Sequence, residues 1–336
     1  MKNFYRDKDI LITGGAGSVG STIVKELTKY DPKRIRILDL SENSLFHLQH
    51  SLKNHKNIRY FVGSINDKEK IKLATKGVDL IFHCAALKHV PSCEYNSFEA
   101  VNTNIIGLMN LITATKEQNV GKFIYISTDK AVNPHNIMGT TKLLGEKLIA
   151  NAWMGETTTK FATVRFGNVL NSNGSVIPLW KKQIKNGSSI TITDPTMTRF
   201  FMTLKEAANL VLKVAKETEG RETHILKMRS LNINDLAESL LELTNSKIRP
   251  TIIGKRPGEK PYELLMTQEE ATTAENNEKT FKIANDVDIW TPHRMESSGN
   301  SLVPVNTSLY DSRKSNFLSK EEIKTLLITE GIVKNE

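Results

Sequence analysis

The chain is poor in cysteine and has no long apolar run. Its 336 residues include only two cysteines, Cys84 and Cys93, which cannot form a disulfide framework and lack the CxxC spacing of a zinc site. His89 and His135 have no potential metal ligand at suitable spacing. No window approaches the roughly 18 consecutive apolar residues of a membrane span, and the first residues are too polar for a signal peptide. We therefore expect reduced thiols, no metal, no membrane span and a cytoplasmic location.

Charge of one sign is not concentrated in any segment. Lysine and arginine outnumber aspartate and glutamate by 46 to 37, which gives a formal net charge of +9, but acidic residues lie between the basic ones. The sequence also lacks an RNP-type aromatic motif and C2H2 spacing. The positive charge therefore favours phosphate-bearing metabolites over nucleic acid as partners.

Short β-branched runs alternate with amphipathic stretches of helical length in the first half of the chain. This alternation is typical of an α/β fold with a Rossmann-like, doubly wound parallel sheet, whose ligand lies beyond the carboxyl ends of the strands. Strands are predicted over Asp9–Thr13, Ile35–Leu40, Ile58–Val62, Asp79–His83, Lys122–Ser127 and Phe161–Phe166. Helices are predicted over Ser18–Lys29, Leu45–Lys53, Lys68–Thr75, Phe98–Gln118 and Met138–Asn151.

The pattern becomes looser in the second half of the chain. We predict a Rossmann-like domain over residues 1–167 and a smaller C-terminal α/β region over residues 168–336, some segments of which return to the first domain. Ser319 followed by Glu322 fits a helix capping box, whereas the polar residues 270–315 are expected to form a long loop or extended arm. The elements predicted in this region are Ser189–Thr193, Leu204–Thr218, His224–Lys227, Leu231–Thr244 and Ser319–Thr329.

A glycine-rich turn directly follows the first predicted strand and opens the first long helix. In it, Gly14 permits the tight turn, Gly17 lets the backbone approach a pyrophosphate and Gly20 allows close packing of helix and strand. The helix N-terminus adds unsatisfied N–H groups and positive potential. A structural glycine turn is the alternative, but the flanking strand and helix favour dinucleotide binding. The predicted binding residues are Gly14, Ala16, Gly17, Ser18, Val19 and Gly20.

An acidic residue ends the second predicted strand, about 20 residues beyond this turn. There the Asp39 carboxylate can hold both hydroxyls of the adenosine ribose and repel a 2′-phosphate, which favours NAD over NADP as the cofactor. Alternatively, Asp39 caps the next helix, a role that Ser41 can also fill. Ile65 and Asp67, after the third strand, are further candidates for cofactor contact, although Asp67 fits a helix N-cap equally well.

Small or polar residues follow the fourth and fifth predicted strands. Ala85 and Ala86 are small enough to let the backbone run beside a cofactor, and Lys88, which follows them in the loop, is a further candidate for cofactor contact. In the helix after the fifth strand, Met138 and Lys142 are four residues apart and so lie on one face. Three consecutive polar side chains end the fifth strand: Thr128, Asp129 and Lys130.

Seven motifs resemble, in the same order, those of the extended short-chain dehydrogenase/reductase superfamily, and within it the CapD-like nucleotide-sugar 4,6-dehydratases of polysaccharide biosynthesis. They run along most of the chain. The superfamily usually has Tyr-x-x-x-Lys where this chain has Met138 and Lys142; a methionine at this position also occurs in a subgroup of the dehydratases. The motifs are Thr13–Gly20, Ala85–Pro91, Ser127–Pro134, Arg165–Leu170, Gly174–Pro178, Thr198–Met202 and Arg256–Lys260.

The resemblance implies an NAD-dependent internal redox cycle, usually on UDP-N-acetylglucosamine, that removes water and yields a 4-keto-6-deoxy sugar nucleotide. By this likeness Thr128 orients the C4 hydroxyl, Asp129 protonates the leaving C6 hydroxyl and Lys130 removes the C5 proton. Lys142 holds the nicotinamide ribose. Because the thioether of Met138 cannot accept a proton, we suggest that Asp129, directly or through water, also accepts the C4 hydroxyl proton.

Each of these residues has a structural alternative. Thr128 can bond to backbone at the strand end, Asp129 can form an Asx turn, and Lys130 can be a solvated charge. Lys142 can be a surface lysine. Together at one edge of the sheet, however, they favour a catalytic group.

The resemblance also assigns residues to the nucleotide sugar, whose diphosphate suits arginine. Alternatives again remain: Arg256 can belong to a type II turn, Arg199 can pair with Asp194 at the surface, and Lys88 can be a simple loop lysine. The residues assigned to substrate are Lys88, Asn168, Val176, Arg199, Met202, Arg256 and Glu259.

Two rival functions remain on the same scaffold. A nucleotide-sugar epimerase would use the tyrosine that is absent and would not need Lys130 beside Asp129. A non-catalytic, cofactor-sensing protein would not need the polar run at all. In each case we expect the chain to form a homo-oligomer.

Overall fold

Fourteen strands and thirteen helices build the part of the chain that the computed structural model describes, residues 1–155, 157–285 and 305–333. The strands are β1 Asp9–Thr13, β2 Arg34–Asp39, β3 Ile58–Val62, β4 Leu80–His83, β5 Lys122–Thr128, β6 Lys160–Phe166, β7 Asn168–Val169, β8 Thr191–Ile192, β9 Thr198–Met202, β10 Glu222–Leu226, β11 Arg229–Asn232, β12 Thr251–Ile252, β13 Glu275–Asn276 and β14 Thr280–Ala284.

The helices connect these strands and cover the sheet. They are α1 Lys2–Tyr5, α2 Ser18–Leu27, α3 Glu42–Ser51, α4 Lys68–Thr75, α5 Val90–Tyr95, α6 Ser97–Val101, α7 Gly107–Glu117, α8 Ile137–Asn151, α9 Val176–Lys185, α10 Leu204–Glu217, α11 Ile233–Leu243, α12 Gln268–Thr273 and α13 Lys320–Thr329. Short 3-10 turns lie at Thr28–Tyr30, Asp129–Ala131 and Thr307–Leu309.

The main sheet has nine strands in the order β13-β14-β10-β6-β5-β4-β1-β2-β3. Neighbours from β3 to β10 pair in parallel. Along β1, Ile10 and Ile12 belong to one apolar cluster and Leu11 to another, and all three are fully buried. Helices therefore cover both faces, which confirms the predicted doubly wound sheet. The six predicted strands are confirmed, with ends within one residue of the prediction.

The predicted helix Phe98–Gln118 is divided into α6 and α7 by a π-helical turn, Asn102–Ile106. A π turn adds a residue to the helical repeat and turns side chains away from their α-helical direction. The amide of Asn104, in this turn, accepts a hydrogen bond from Leu87 N (2.8 Å) and donates to Leu87 O (3.0 Å). The interruption therefore ties the helix to the loop that follows β4.

Segments from the second half of the chain extend the main sheet. β10 pairs in parallel with β6, and β14 pairs with β10 in the antiparallel direction. The predicted loop over residues 270–315 is therefore wrong in its first part, because Phe281 and Ile283 are buried in the pairing of β14; residues 286–304 lie outside the described part. The boundary at residue 167 remains a prediction.

The smaller region contains a three-stranded sheet, β11-β9-β7, and the pair β12-β8. Its apolar cluster includes Trp180, Leu231 and Ile323, all fully buried. α13 begins with the predicted capping box: Ser319 Oγ accepts from Glu322 N, and the Glu322 side chain accepts from Ser319 N. The five elements predicted for this half each overlap an observed helix or strand.

A buried arginine joins the two halves. Arg165, on β6, donates to both carboxylate oxygens of Glu146 on α8 at 3.0 and 2.5 Å. It also donates to Glu270 on α12, at 2.9 Å to each oxygen, and to Leu265 O at 3.0 Å. The guanidinium therefore links a helix of the first half to the C-terminal part of the chain.

We expect Arg165→Met to destabilise the fold by about 3–5 kcal/mol, because it leaves buried carboxylates without their cation. The matched control is Arg229→Met: Arg229 also binds a carboxylate, Glu322, with both nitrogens, but at the surface. That exposed pair should contribute about 0–1 kcal/mol. Urea unfolding of the three proteins measures the difference, and equal losses in the two variants would contradict the structural role of Arg165.

Candidate functional site

A cleft of about 810 Å³ lies at the carboxyl ends of the central strands of the main sheet. The segments that line it follow β1, β2, β4, β5 and β6 in the chain, and further lining residues come from the smaller region. This is the edge where the topology predicts a ligand. Predicted site residues that line the cleft are Gly14, Ala16, Gly17, Ser18, Val19, Gly20, Asp39, Ile65, Ala85, Ala86, Lys88, Thr128, Lys130, Lys142, Asn168, Val176, Arg199, Arg256 and Glu259.

The glycine-rich turn is packed too closely for larger residues. Gly14 has φ +65°, and a Cβ there would lie 2.5 Å from Ala85 N. A Cβ on Gly20 would clash with the carbonyl oxygen of Gly14. α2 begins after Gly17, which has no side chain to cap the helix. The N–H groups of its first turn are therefore available to an anionic ligand at the cleft.

Asp39 is fixed beside this turn. Its carboxylate accepts hydrogen bonds from Ala16 N and Ser41 N, each at 2.9 Å. Ser41 is the N-cap of α3, so the alternative role of Asp39 as that cap is wrong. Asp67 caps α4 by accepting from Lys70 N at 3.0 Å and is not among the lining residues. The structure thus places Asp39 at the cleft and confirms the N-cap alternative for Asp67, whose contact with a cofactor stays a prediction.

The polar run after β5 forms a connected group. Thr128 Oγ1 donates to Asp129 Oδ1 at 2.9 Å, and Lys130 Nζ donates to the same oxygen at 3.0 Å. Lys130 Nζ also donates to Asn168 Oδ1 at 2.9 Å and lies 3.5 Å from Glu263 Oε1. Lys130 is therefore not a solvated surface charge.

Thr128 and Lys130 line the cleft, whereas Asp129, between them, is fully buried and does not. This is expected where consecutive side chains leave a strand end in opposite directions. Asp129 Oδ2 accepts no hydrogen bond from any described residue and lies near Gly167. Asp129 therefore reaches the cleft through its hydrogen bonds to Thr128 and Lys130.

Lys142 is buried, not a surface lysine. Its Nζ donates to Ile126 O at 2.8 Å and lies 4.7 Å from the centre of the Tyr125 ring. Burial lowers the pKa of Lys142 to about 8. Met138, one turn earlier, is also buried and lines the cleft. The side chains of the Met-x-x-x-Lys pair therefore both reach the ligand edge.

The residues assigned to substrate are placed unequally. Arg199 is buried and donates to Thr198 O, Lys260 O and Pro261 O, so it does not pair with Asp194. Its guanidinium contributes positive charge to the cleft, but these carbonyls occupy much of its hydrogen-bonding capacity. Met202 packs in the apolar core and is not brought into the cleft.

Arg256 begins a turn, as one alternative predicted. Gly258 has φ +74°, and Glu259 N donates to Arg256 O at 3.1 Å. Lys88, across the cleft, donates to Asn173 O at 2.7 Å, and burial lowers its pKa. The turn presents the exposed Arg256 side chain at the mouth of the cleft, where an anionic ligand can reach it.

Sequence reasoning missed two charged residues beside Lys130. Lys260 and Glu263 line the cleft and are nearly inaccessible to solvent. Both follow the Arg256 turn. The sequence signal that could have identified them was a lysine and a glutamate three residues apart, directly after this turn. The π turn that directs Asn104 to the cleft loop had no comparable signal.

The chain matches a described protein family. The profile of the polysaccharide biosynthesis protein family matches residues 10–285. The chain belongs to this family. It is 50% identical to an uncharacterized membrane protein of Methanocaldococcus jannaschii over 97% of each chain. It is 39% identical to a UDP-glucose 4-epimerase of Rickettsia bellii over 99% of this chain and 98% of that protein.

The fold is also that of a solved structure. Pen from Bacillus thuringiensis is 39% identical and superposes with a TM-score of 0.89, which covers 97% of this chain and 98% of that chain. Although one relative is named as a membrane protein, no helix among residues 1–155, 157–285 and 305–333 is both long and apolar enough to cross a bilayer.

Two glycines with the same backbone conformation test the crowding of the glycine-rich turn. Gly14 and Gly77 both have φ +65°, but a Cβ on Gly77 has no neighbour within 4 Å. Gly77→Ala should cost about 1–2 kcal/mol for the left-handed backbone alone. Gly14→Ala should cost about 1–3 kcal/mol more, because Ala85 must move. Equal shifts of the thermal midpoint would show that the turn has room for a side chain.

Proposed function

We propose that the chain is an NAD-dependent 4,6-dehydratase that acts on UDP-N-acetylglucosamine and forms a 4-keto-6-deoxy sugar nucleotide for glycan synthesis. One observation carries this proposal: Thr128, Asp129 and Lys130 form a hydrogen-bonded group at a cleft where Met138 replaces the usual phenol. Elimination of water needs an acid and a base around one sugar. The group supplies a carboxyl and an amine within one residue of each other.

The cofactor fits the glycine-rich side of the cleft. The N–H groups at the start of α2 would hold the pyrophosphate, and Asp39 would accept hydrogen bonds from the adenosine ribose hydroxyls. Lys142, with its amine directed to the end of β5 by Ile126 O, would hold the nicotinamide ribose. Bound NAD would supply the hydride acceptor and donor that this chain lacks.

The side chains of this protein handle the protons. Thr128 orients the C4 hydroxyl and relays its proton to Asp129, which lies behind the cleft lining, and Asp129 passes that proton through the same contact to the departing C6 hydroxyl. Lys130 removes the C5 proton and, after its amine protons exchange with solvent, gives a proton back to C5. Burial alone would lower the pKa of Lys130, but the carboxylates of Asp129 and Glu263 outweigh burial and raise it. The resting amine is therefore protonated and must release a proton before it acts as a base.

The nucleotide sugar occupies the side of the cleft built by the smaller region. Arg256 is exposed at its mouth and free to form bidentate bonds with a diphosphate. Asn168, Val176 and Glu259 line the same side. Arg199 lines the cleft and adds positive charge to it, but its bonds to backbone carbonyls leave less capacity for a bidentate contact with the diphosphate.

Epimerisation at C4 is the second candidate, because a relative from Rickettsia bellii is named as an epimerase. Against it, no tyrosine is found among the described residues that line the cleft, and the thioether of Met138 cannot take the C4 hydroxyl proton. Epimerisation also leaves the C5 proton in place, so Lys130 beside Asp129 would have no role. A protein that only senses the cofactor would neither dehydrate nor epimerise a nucleotide sugar.

The decisive measurement for the reaction is incubation with a panel of nucleotide sugars and NAD, read by mass spectrometry for loss of water. We expect water loss from UDP-N-acetylglucosamine, with deuterium entering at C5 in heavy water. Lys130→Ala should abolish both, with a rate loss of about 10²–10⁴, yet still permit transient NADH formation. Met138→Leu is the control and should retain much of the activity. C5 exchange at the wild-type rate in Lys130→Ala would show that the base is another group.

The preference for NAD is tested at Asp39. Asp39→Asn removes the charge but keeps an acceptor for Ala16 N, whereas Asp39→Ala removes both. If charge repulsion excludes the 2′-phosphate, both variants should narrow the affinity gap between NAD and NADP by about tenfold or more, or about 1.4 kcal/mol. Dissociation constants from titration calorimetry measure this. A wild-type protein that binds NADP more tightly would refute the assignment of Asp39.

A further inference from the structure

Four charged side chains form a buried charge cluster beside the cleft: Asp129, Lys130, Lys260 and Glu263. Lys130 Nζ lies 3.0 Å from Asp129 Oδ1 and 3.5 Å from Glu263 Oε1. Lys260 Nζ lies 3.7 Å from Glu263 Oε2 and donates to Val132 O at 2.6 Å. Glu263 therefore stands between the two lysines of the cluster.

The backbone of Glu263 is fixed independently of its carboxylate. Glu263 N donates to Ser312 Oγ at 2.9 Å, and Glu263 O accepts from Ser312 N at 3.0 Å. The residue is 2% exposed and lines the cleft. Its Oε2 nevertheless accepts no hydrogen bond from any described residue. This oxygen is within ion-pair distance of Lys260 but keeps its hydrogen-bonding capacity unused in a buried position, which is costly. The carboxylate therefore has capacity to accept a proton.

We propose that Glu263 is a positioning residue for the dehydration, an inference that rests on the proposed function. Its carboxylate holds the Lys130 amine at the cleft and takes the proton that this amine must release before it attacks C5. In the transfer one N–H bond of the ammonium breaks and one O–H bond of Glu263 forms, so an ion pair becomes a neutral pair. The neutral amine then removes the C5 proton and, after its protons exchange with solvent, gives a proton to C5, after which Glu263 gives its proton back.

Asp129 lies nearer to the Lys130 amine than Glu263 does, at 3.0 against 3.5 Å, but Glu263 is the carboxylate without another proton to carry. Asp129 Oδ1 already accepts hydrogen bonds from Thr128 and Lys130, and Asp129 carries the separate proton that passes from the C4 hydroxyl to the C6 hydroxyl. Glu263 has no such second task. Two carboxylates on one amine thus allow two protons to be handled in one turnover.

The charges around Lys130 give the cluster a measurable property. Burial lowers the pKa of Lys130, Asp129 and Glu263 raise it, and Arg199 lowers it, with a net rise. Lys260 lies across Glu263, and burial lowers its own pKa. Removal of Glu263 should therefore lower the pKa of Lys130, and removal of Lys260 should raise it.

The test is competitive acetylation of the whole protein without substrate, with a simple alkylamine as internal reference. The Lys130 side chain is 22% exposed, so a small reagent can reach it, and mass spectrometry of its peptide gives the pH midpoint of labelling. Glu263→Gln should lower this midpoint by about one to three pH units. Lys260→Met should move it in the opposite direction. Ser312→Ala, which removes a backbone tie and keeps the carboxylate, should leave it in place.

Turnover gives the second readout. Glu263→Gln should lower kcat by about 10² or more with little change in KM, and Glu263→Asp, which keeps the acid, should restore part of it. Midpoints that do not move in Glu263→Gln and Lys260→Met overturn the role of Glu263, whatever the protein dehydrates. Should Glu263→Gln fail to fold, Glu263→Asp decides alone: its shorter carboxylate lies farther from the Lys130 amine and should lower the labelling midpoint in part, and an unchanged midpoint would overturn the role of Glu263. A wild-type protein that dehydrates no nucleotide sugar overturns the proposed function instead.

Discussion

The buried guanidinium of Arg165 fixes the geometry on which both sides of the site depend. It lies on β6 and binds Glu146 of α8 on one side and Glu270 of α12 on the other. α8 carries Lys142 to the cofactor side of the cleft, and the chain just before α12 carries Glu263 to the other side. Because a buried cation is stable only with carboxylates in good geometry around it, the ion pairs that satisfy Arg165 also hold these two segments in place relative to each other.

Buried charges also need partners at the edge of the sheet that borders the cleft, but there the pairing is incomplete. Around Arg165 the charges are fully paired. Burial alone would lower the pKa of the arginine, but Glu146 and Glu270 outweigh burial and raise that pKa. In the buried charge cluster, by contrast, Asp129 and Glu263 each keep one oxygen without a donor among the described residues. The first set therefore has its hydrogen-bonding capacity used within the fold. The second keeps two carboxylate oxygens able to accept a further hydrogen bond beside the cleft.

The sheet was predictable because its strands are short, apolar and separated by helices with clear boundaries. The predictable information was local: the periodicity of β1 to β6 and the capping box at Ser319 each depend on residues a few positions apart. β14 was missed because its buried residues, Phe281 and Ile283, sit in a polar stretch, and their burial comes from pairing with β10, more than 50 residues earlier in the chain. The π turn at Asn104 was missed because the contact that stabilises it is also distant in sequence.

The site residues also fall into those that a local motif predicts and those that depend on contacts distant in sequence. Residues within one motif, such as Gly14 or Lys142, could be assigned because each motif carries its own spacing, and the cleft brings nearly all of them together. The motifs could not predict which way each side chain points. Asp129 belongs to the polar run after β5 yet faces the protein interior, whereas Glu263 lines the cleft from a segment more than 130 residues later in the chain. Sequence order therefore places Asp129 beside Lys130, and the fold brings Glu263 to the same amine.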